Sequence, residues 1–281
     1  MRKYLFLLLT FLIVGTVSAQ TGKELDASGS GIQSDFFFEI QKGDVRGHSI
    51  VHKFGRNAAV ANGSFELVSI QSGVTSFLSA ATAVRVKAGD TADSTGNAGL
   101  WSVTLEGLDE TGALATEAIS TNGTSAGSNS TTTFIRLFRA YATPDSVGTY
   151  GGANVAAVVI ENAAGDTDLI TIAIQEGQTQ YAAYTIPLGK TGYLSSISLQ
   201  TDGAKAADFR VFIRKDALDV VSPFASKTIL LYFDGILGSY ALHPVTPINN
   251  LPELTDIWFE ASGGGANTEV SVDFEIILVD N

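Results

Sequence analysis

Short apolar runs rich in β-branched and aromatic residues recur from residue 36 to the end of the chain, separated by turns containing Gly, Asn, Asp or Pro. Nowhere does an apolar stripe of helical period persist over three turns. This spacing calls for many short strands and leaves no room for long amphipathic helices. The expected strands cover residues 36–40, 50–54, 65–70, 82–87, 101–105, 113–120, 131–141, 155–160 and 169–174. A second series covers 181–186, 192–200, 209–214, 228–233, 254–261 and 269–279. Trp101-Ser102-Val103-Thr104-Leu105 alternates apolar and polar residues, as a half-buried strand does, and Asp109-Glu110-Thr111-Gly112 reads as a hairpin turn. Along 209–214, Phe209, Val211 and Ile213 share one face. Arg210, Phe212 and Arg214 share the other, which is therefore mixed rather than polar.

The expected fold class is all-β, with two β-sandwich (jelly-roll-like) domains after an N-terminal signal-like segment. The segment is residues 1–19: Arg2 and Lys3, an apolar run over 4–14, then small residues up to Ala19, where a signal peptidase would cut. The apolar run is shorter than the ~20 residues a spanning helix needs. Residues 20–34 carry no apolar period and read as a flexible linker. The N-terminal sandwich is placed at 35–175 and the C-terminal one at 176–281, with one continuous sandwich as the alternative.

Hydrophobic residues make up 45% of the chain and charged residues only 16%, so a packed core is feasible. The formal charge of -12 becomes -14 once Arg2 and Lys3 are gone, with 15 basic against 29 acidic residues. No basic cluster offsets it, which argues against nucleic-acid binding. The absence of cysteine excludes disulfides, thiolate metal sites and cysteine nucleophiles.

Parts for catalysis are hard to assemble. His48 and His52 share parity on an expected strand, but no third ligand accompanies them, and His243 stands apart. Gly123-Thr124-Ser125-Ala126-Gly127 has the spelling of a nucleophile elbow, yet that device needs a strand before the serine and a helix after it. Asp109-Glu110 and Asp166/Asp168 lie in turns rather than facing each other across a cleft, and the latter lacks the rest of a calcium loop. Ser262-Gly263-Gly264-Gly265 has neither the lysine nor the helix start of a phosphate loop. Asn62, Asn122 and Asn129 open glycosylation-type tripeptides of the kind a Ser/Thr-rich chain produces by chance. Trp101 and Trp258 could form a sugar platform, but their place inside expected strands favours packing. No catalytic, cofactor or metal residue is therefore assigned, no cofactor is expected, and the binding face stays unassigned.

Several stretches, read in order, resemble a family of virion structural proteins from tailed phages, notably marine ones. They are Gly47-His48-Ser49-Ile50-Val51-His52-Lys53-Phe54-Gly55-Arg56-Asn57, Val103-Thr104-Leu105-Glu106-Gly107-Leu108-Asp109, Thr116-Glu117 through Asn122-Gly123-Thr124, and Phe134-Ile135-Arg136. Gly151-Gly152-Ala153-Asn154, Glu176-Gly177-Gln178-Thr179, the run Ala183-Tyr184-Thr185-Ile186-Pro187-Leu188-Gly189-Lys190-Thr191-Gly192-Tyr193-Leu194 and the ending Phe274-Glu275-Ile276-Ile277-Leu278-Val279-Asp280-Asn281 continue the series. The resemblance spans residues 36–281 and implies a non-enzymatic component of the virion surface, decorating a capsid or forming part of a host-contacting appendage. The resemblance carries over no catalytic residue; the virion reading brings the expectation of self-association as a homotrimer or other symmetric oligomer and of contact with other virion or cell-surface proteins.

Residues 1–19 depart from the family, since a virion protein assembled in a host cytoplasm needs no export signal. The alternative expectation is accordingly an exported bacterial adhesin-like or carbohydrate-binding protein, secreted or at the cell surface after cleavage near Ala19, with surface glycans as partners. A glycan-degrading enzyme is the third and least supported reading.

Overall fold

A computed structural model describes residues 36–71, 77–143, 153–219, 227–244 and 248–281. The signal-like segment, the linker and the pair Gly151-Gly152 lie outside the described residues. Among the described residues the elements are helix α1 (Phe36–Lys42) and sixteen strands. β1 (His48–Val60) and β2 (Glu66–Leu67) come first. β3 (Val84–Ala88), β4 (Ser102–Asp109), β5 (Leu114–Ser120), β6 (Phe134–Ala142), β7 (Val158–Asn162) and β8 (Asp168–Ile172) follow. Then come β9 (Ala183–Thr185), β10 (Lys190–Thr201), β11 (Ala207–Arg214), β12 (Thr228–Ile236), β13 (Ser239–Leu242), β14 (Ile248–Leu251), β15 (Asp256–Gly263) and β16 (Thr268–Asp280).

The all-β expectation holds, with one local exception. Residues 36–40 form helix rather than strand. A five-residue apolar run cannot be told from a helical turn by periodicity, and the deciding features lie around it. Glu39 sits in the first turn and Lys42 in the last, complementing the helix dipole. Gly43 then takes φ +82°, while its N–H donates to the Ile40 carbonyl and that of Asp44 to the Glu39 carbonyl, which is a Schellman ending. This helix and residues up to Arg46 form one compact unit and residues 47–281 another.

Within 47–281 two antiparallel sheets face each other. The first runs β1-β16-β10-β13, with β14 also against β10; the second runs β12-β11-β15-β2, with β9 also against β15. Leu194, Ile197, Leu199, Val272, Phe274 and Ile276 of the first meet Phe209, Val211, Ile257 and Phe259 of the second, all fully or almost fully buried. The Phe259 and Phe274 rings, 4.8 Å apart, join the two sheets across this core.

The chain between β2 and β9 forms two further three-stranded sheets, β3-β7-β8 and β5-β4-β6. Their buried Val84, Val86, Leu105, Phe134 and Ile160 share a second core with Phe212 and Trp258 of the sandwich. The second sheet is thus covered on both faces, which is why every residue of β15 is buried and its sequence shows no alternation. It also explains the mixed face of β11: Phe212 stacks on Trp258 at 5.5 Å in the second core, while Phe209 and Val211 occupy the first.

The expected boundary at 176 falls where the chain returns to the sandwich between β8 and β9. Across it, β1 pairs along β16 from His48↔Val279 to Val60↔Thr268, and β2 pairs with β15. Gly55 shows how tightly this crossing is packed, since a Cβ there would stand 2.3 Å from the Val68 carbonyl oxygen and 2.4 Å from the Ala182 nitrogen.

Candidate functional site

The acidic pairs noted in the sequence serve their own turns. Asp109 Oδ1 accepts bonds from the N–H and hydroxyl of Thr111 and from the N–H of Ala113. The Thr111 hydroxyl, with these backbone N–H groups, holds the Asp109 carboxyl below its ordinary range. Glu110 accepts from Thr133, and Asp166 accepts at 2.6 Å from the Asn162 amide, which lowers its carboxyl in the same way. Asp168 opens β8, and its carbonyl accepts from the Gln71 side chain.

His52 Nε2 lies 3.5 Å from Asp273 Oδ1 on the exposed face of β1, and His243 follows β13. Among the described residues no three His, Cys, Asp or Glu side chains come together to hold a metal ion. Gly123-Thr124-Ser125-Ala126-Gly127 follows β5 as a turn and an irregular stretch, with no helix. The Gly263 and Gly264 N–H groups donate to the Ala61 and Ala206 carbonyls, so this glycine run has those donors already engaged. Trp258 is a core residue whose Nε1 donates to Glu260, and Trp101, half-buried, donates to the Asn97 carbonyl just ahead of β4.

Four further features stand apart from these motifs. The first is Asp93, fully buried, whose carboxylate accepts from the N–H groups of Leu100, Val155 and Ala156. It ties the loop after β3 to the approach to β7, holding backbone donors that would otherwise be buried unpaired. Asp93→Ala should therefore cost about 2–4 kcal/mol in urea unfolding; a change below ~0.5 kcal/mol would reject the clamp.

The second is a buried ion network. Arg136 on β6 reaches Asp256 on β15 through Nε at 2.9 Å and Nη2 at 3.0 Å. Arg214 on β11 reaches the same carboxylate at 2.9 Å, and the Thr185 hydroxyl of β9 donates to it at 2.6 Å. Both guanidinium groups also lie over the Phe77 ring.

The third is a cleft of about 250 Å³ lined by His52, Lys53, Phe54, Arg139, Gln178 and Thr179. Lys53 points inward from β1, only 7% exposed, and its ammonium donates to the Phe138 carbonyl. Burial, with the Arg139 charge acting in the same direction, brings its pKa down to about 7, against the opposing pull of Glu106. Glu106 is the cross-strand partner of Arg139. Arg139 Nη2 donates to Gln178 Oε1 at 2.8 Å, its Nε is buried without a hydrogen-bond partner, and its guanidinium lies over the Tyr141 ring.

One edge of the sandwich is apolar and open. β12 ends the second sheet and β13 lies at the margin of the first, and each has a single ladder partner among the described residues. Ile229, Tyr232, Leu237 and Tyr240 are exposed there, Leu237 at 60%. Residues 228–242 carry one charge, Asp234.

No family model matches the chain and no curated protein matches it. Among solved structures it is similar to a chain of "Structure of infectious bursal disease virus Gx strain", at 9% identity over 83% of this chain and 77% of that one, with a TM-score of 0.20. A chain of "The 2.6A structure of Infectious Bursal Virus Derived T=1 Particles" shares 11% identity over 84% of this chain and 74% of that one, with a TM-score of 0.16. TM-scores this low do not establish a common fold.

Proposed function

We propose that the chain is a non-catalytic virion structural protein, decorating a capsid or forming part of a host-contacting appendage, and that it self-assembles through the β12–β13 edge. The observation that carries this reading is the edge itself. Open strand edges are templates for pairing, and soluble chains usually blunt them with charge or proline. This one presents Ile229, Tyr232, Leu237 and Tyr240 instead. A second copy is the occupant the electrostatics favour. At a formal -12 each copy repels the next, and residues 228–242, with their single charge, are a stretch where two can approach closely.

Two further observations fit. Asp109 and Asp166 are engaged in their own turns, and Trp258 in the core, leaving these groups to architecture rather than chemistry. The ordered resemblance to phage virion proteins covers residues 36–281. The exported adhesin-like or carbohydrate-binding reading stands second, favoured by the signal-like residues 1–19 and the cationic cleft.

Sedimentation tests the edge directly. Tyr232→Glu combined with Leu237→Glu should weaken self-association at least ~100-fold, since each removes about 1.5–3 kcal/mol of apolar burial, and should leave the circular dichroism unchanged. A wild-type chain that remains monomeric at high concentration would reject the self-assembly. Intact-mass measurement of purified particles and of culture fluid separates the two readings. Full-length chain in particles supports the virion role; chain beginning at Gln20, outside cells and without particles, supports export.

A further inference from the structure

We infer that the cleft between β1, β6 and residues 178–179 is a binding site for an oxyanion, a carboxylate or sulfate group of the kind carried by acidic saccharides. The inference is independent of which of the two functional readings holds. It rests on what each lining group has left to offer. Gln178 spends its Oε1 on Arg139, leaving its amide N–H groups to donate. Thr179 Oγ1 accepts from the Ala140 N–H, leaving its hydroxyl hydrogen. Lys53 engages the Phe138 carbonyl, which leaves further ammonium hydrogens, and Arg139 has a buried Nε with no partner. His52 adds a ring that can donate at the mouth.

The acceptors along this wall are therefore occupied while donors remain. An ammonium ligand, which only donates, would leave them unmatched, whereas an oxyanion supplies several acceptor lone pairs at once together with the negative charge that a neutral sugar lacks. Arg139 and Lys53 face Glu106, and at the mouth His52 Nε2 lies 3.5 Å from Asp273 Oδ1. The Arg139 charge helps to lower the Lys53 pKa, and an entering anion would offset that repulsion. A volume of about 250 Å³ suits a single sugar-sized group and not an extended chain.

The test is a backbone-amide NMR titration of the full chain with glucuronate, sulfate and phosphate, with glucose as the neutral control. Oxyanions should shift residues 52–54, 139 and 178–179, and glucose should not. Lys53→Met should weaken binding at least ~10-fold with the spectrum otherwise preserved, and Arg139→Gln should do the same from the opposite wall. Affinity should fall as pH rises from 6 to 9, because Lys53 loses its proton in that window. Glucuronate binding tighter than sulfate or phosphate assigns the site to acidic saccharides; equal binding assigns it to free small anions, and both uphold an oxyanion site. No shift with any anion at pH 6, equal binding of glucose, or affinities unchanged in both variants would overturn it.

Discussion

Asp256→Ala should be the most damaging single substitution in this chain, costing about 3–5 kcal/mol against a total stability of roughly 5–15 kcal/mol for a domain. The carboxylate is fully buried and holds two arginines and a threonine. Removing it strands the Arg136 guanidinium, itself 2% exposed at the side chain, in a site where the remaining partners are the carbonyls of Ile135, Leu78 and Ala217. Arg214 is less buried and can turn toward water, so most of the loss comes from Arg136. Because β6 belongs to the inserted sheets while β9, β11 and β15 belong to the sandwich, the loss also unclamps one layer from the other.

A double variant separates attraction from desolvation. Arg136→Met with Asp256→Leu removes the pair together, and buried pairs replaced by apolar groups often lose little. The double variant should therefore be more stable than Asp256→Ala alone by about 2 kcal/mol or more in urea unfolding. Less than ~1 kcal/mol lost in Asp256→Ala would show that the network is incidental to stability.

Lys53→Met should act in the opposite direction, and with a sign that changes with pH. In the folded chain the ammonium gives up its proton near pH 7, whereas the unfolded chain keeps it to the ordinary 10.5. Between these values the unfolded state binds more protons, so wild-type stability climbs as pH rises from 7 toward 10, by about 4 kcal/mol in all. Below pH 7 the full penalty of a buried charge remains. Above pH 10 the trend turns over, because burial pushes the Tyr181 and Tyr184 hydroxyls well above 10 and the unfolded chain then releases protons first.

Methionine keeps the stem and discards the charge, at the cost of the bond to the Phe138 carbonyl. The variant should be about 2–3 kcal/mol more stable than wild type at pH 6 and about 1 kcal/mol less stable at pH 10. Chemical unfolding across that range measures both. Parallel profiles for the two proteins would mean that Lys53 stays charged in the fold. A stability penalty retained at neutral pH is the usual mark of a group kept for binding, in keeping with the oxyanion cleft.

Much of the local structure was legible from the residues alone. The alternation in 101–105 became β4, the Asp109–Gly112 turn formed as read, and the mixed face of β11 was visible before its cause was. The short strands β13 and β14 were not seen, since Ser239–Leu242 and Ile248–Leu251 are four residues each, too brief to show a period.

Local patterning, then, determined that this chain is built of strands, where most of its turns fall and which face of β11 would be purely apolar, because a side-chain period of two is written into neighbouring residues. Tertiary structure alone decided that β1 closes against β16 and that the second sheet is buried on both faces. It likewise decided the fate of Lys53, Asp93, Arg136 and Asp256. In sequence each is an ordinary polar residue; its meaning depends on a partner tens to more than a hundred positions away, and only folding brings that partner within bonding distance while excluding the water that would otherwise replace it.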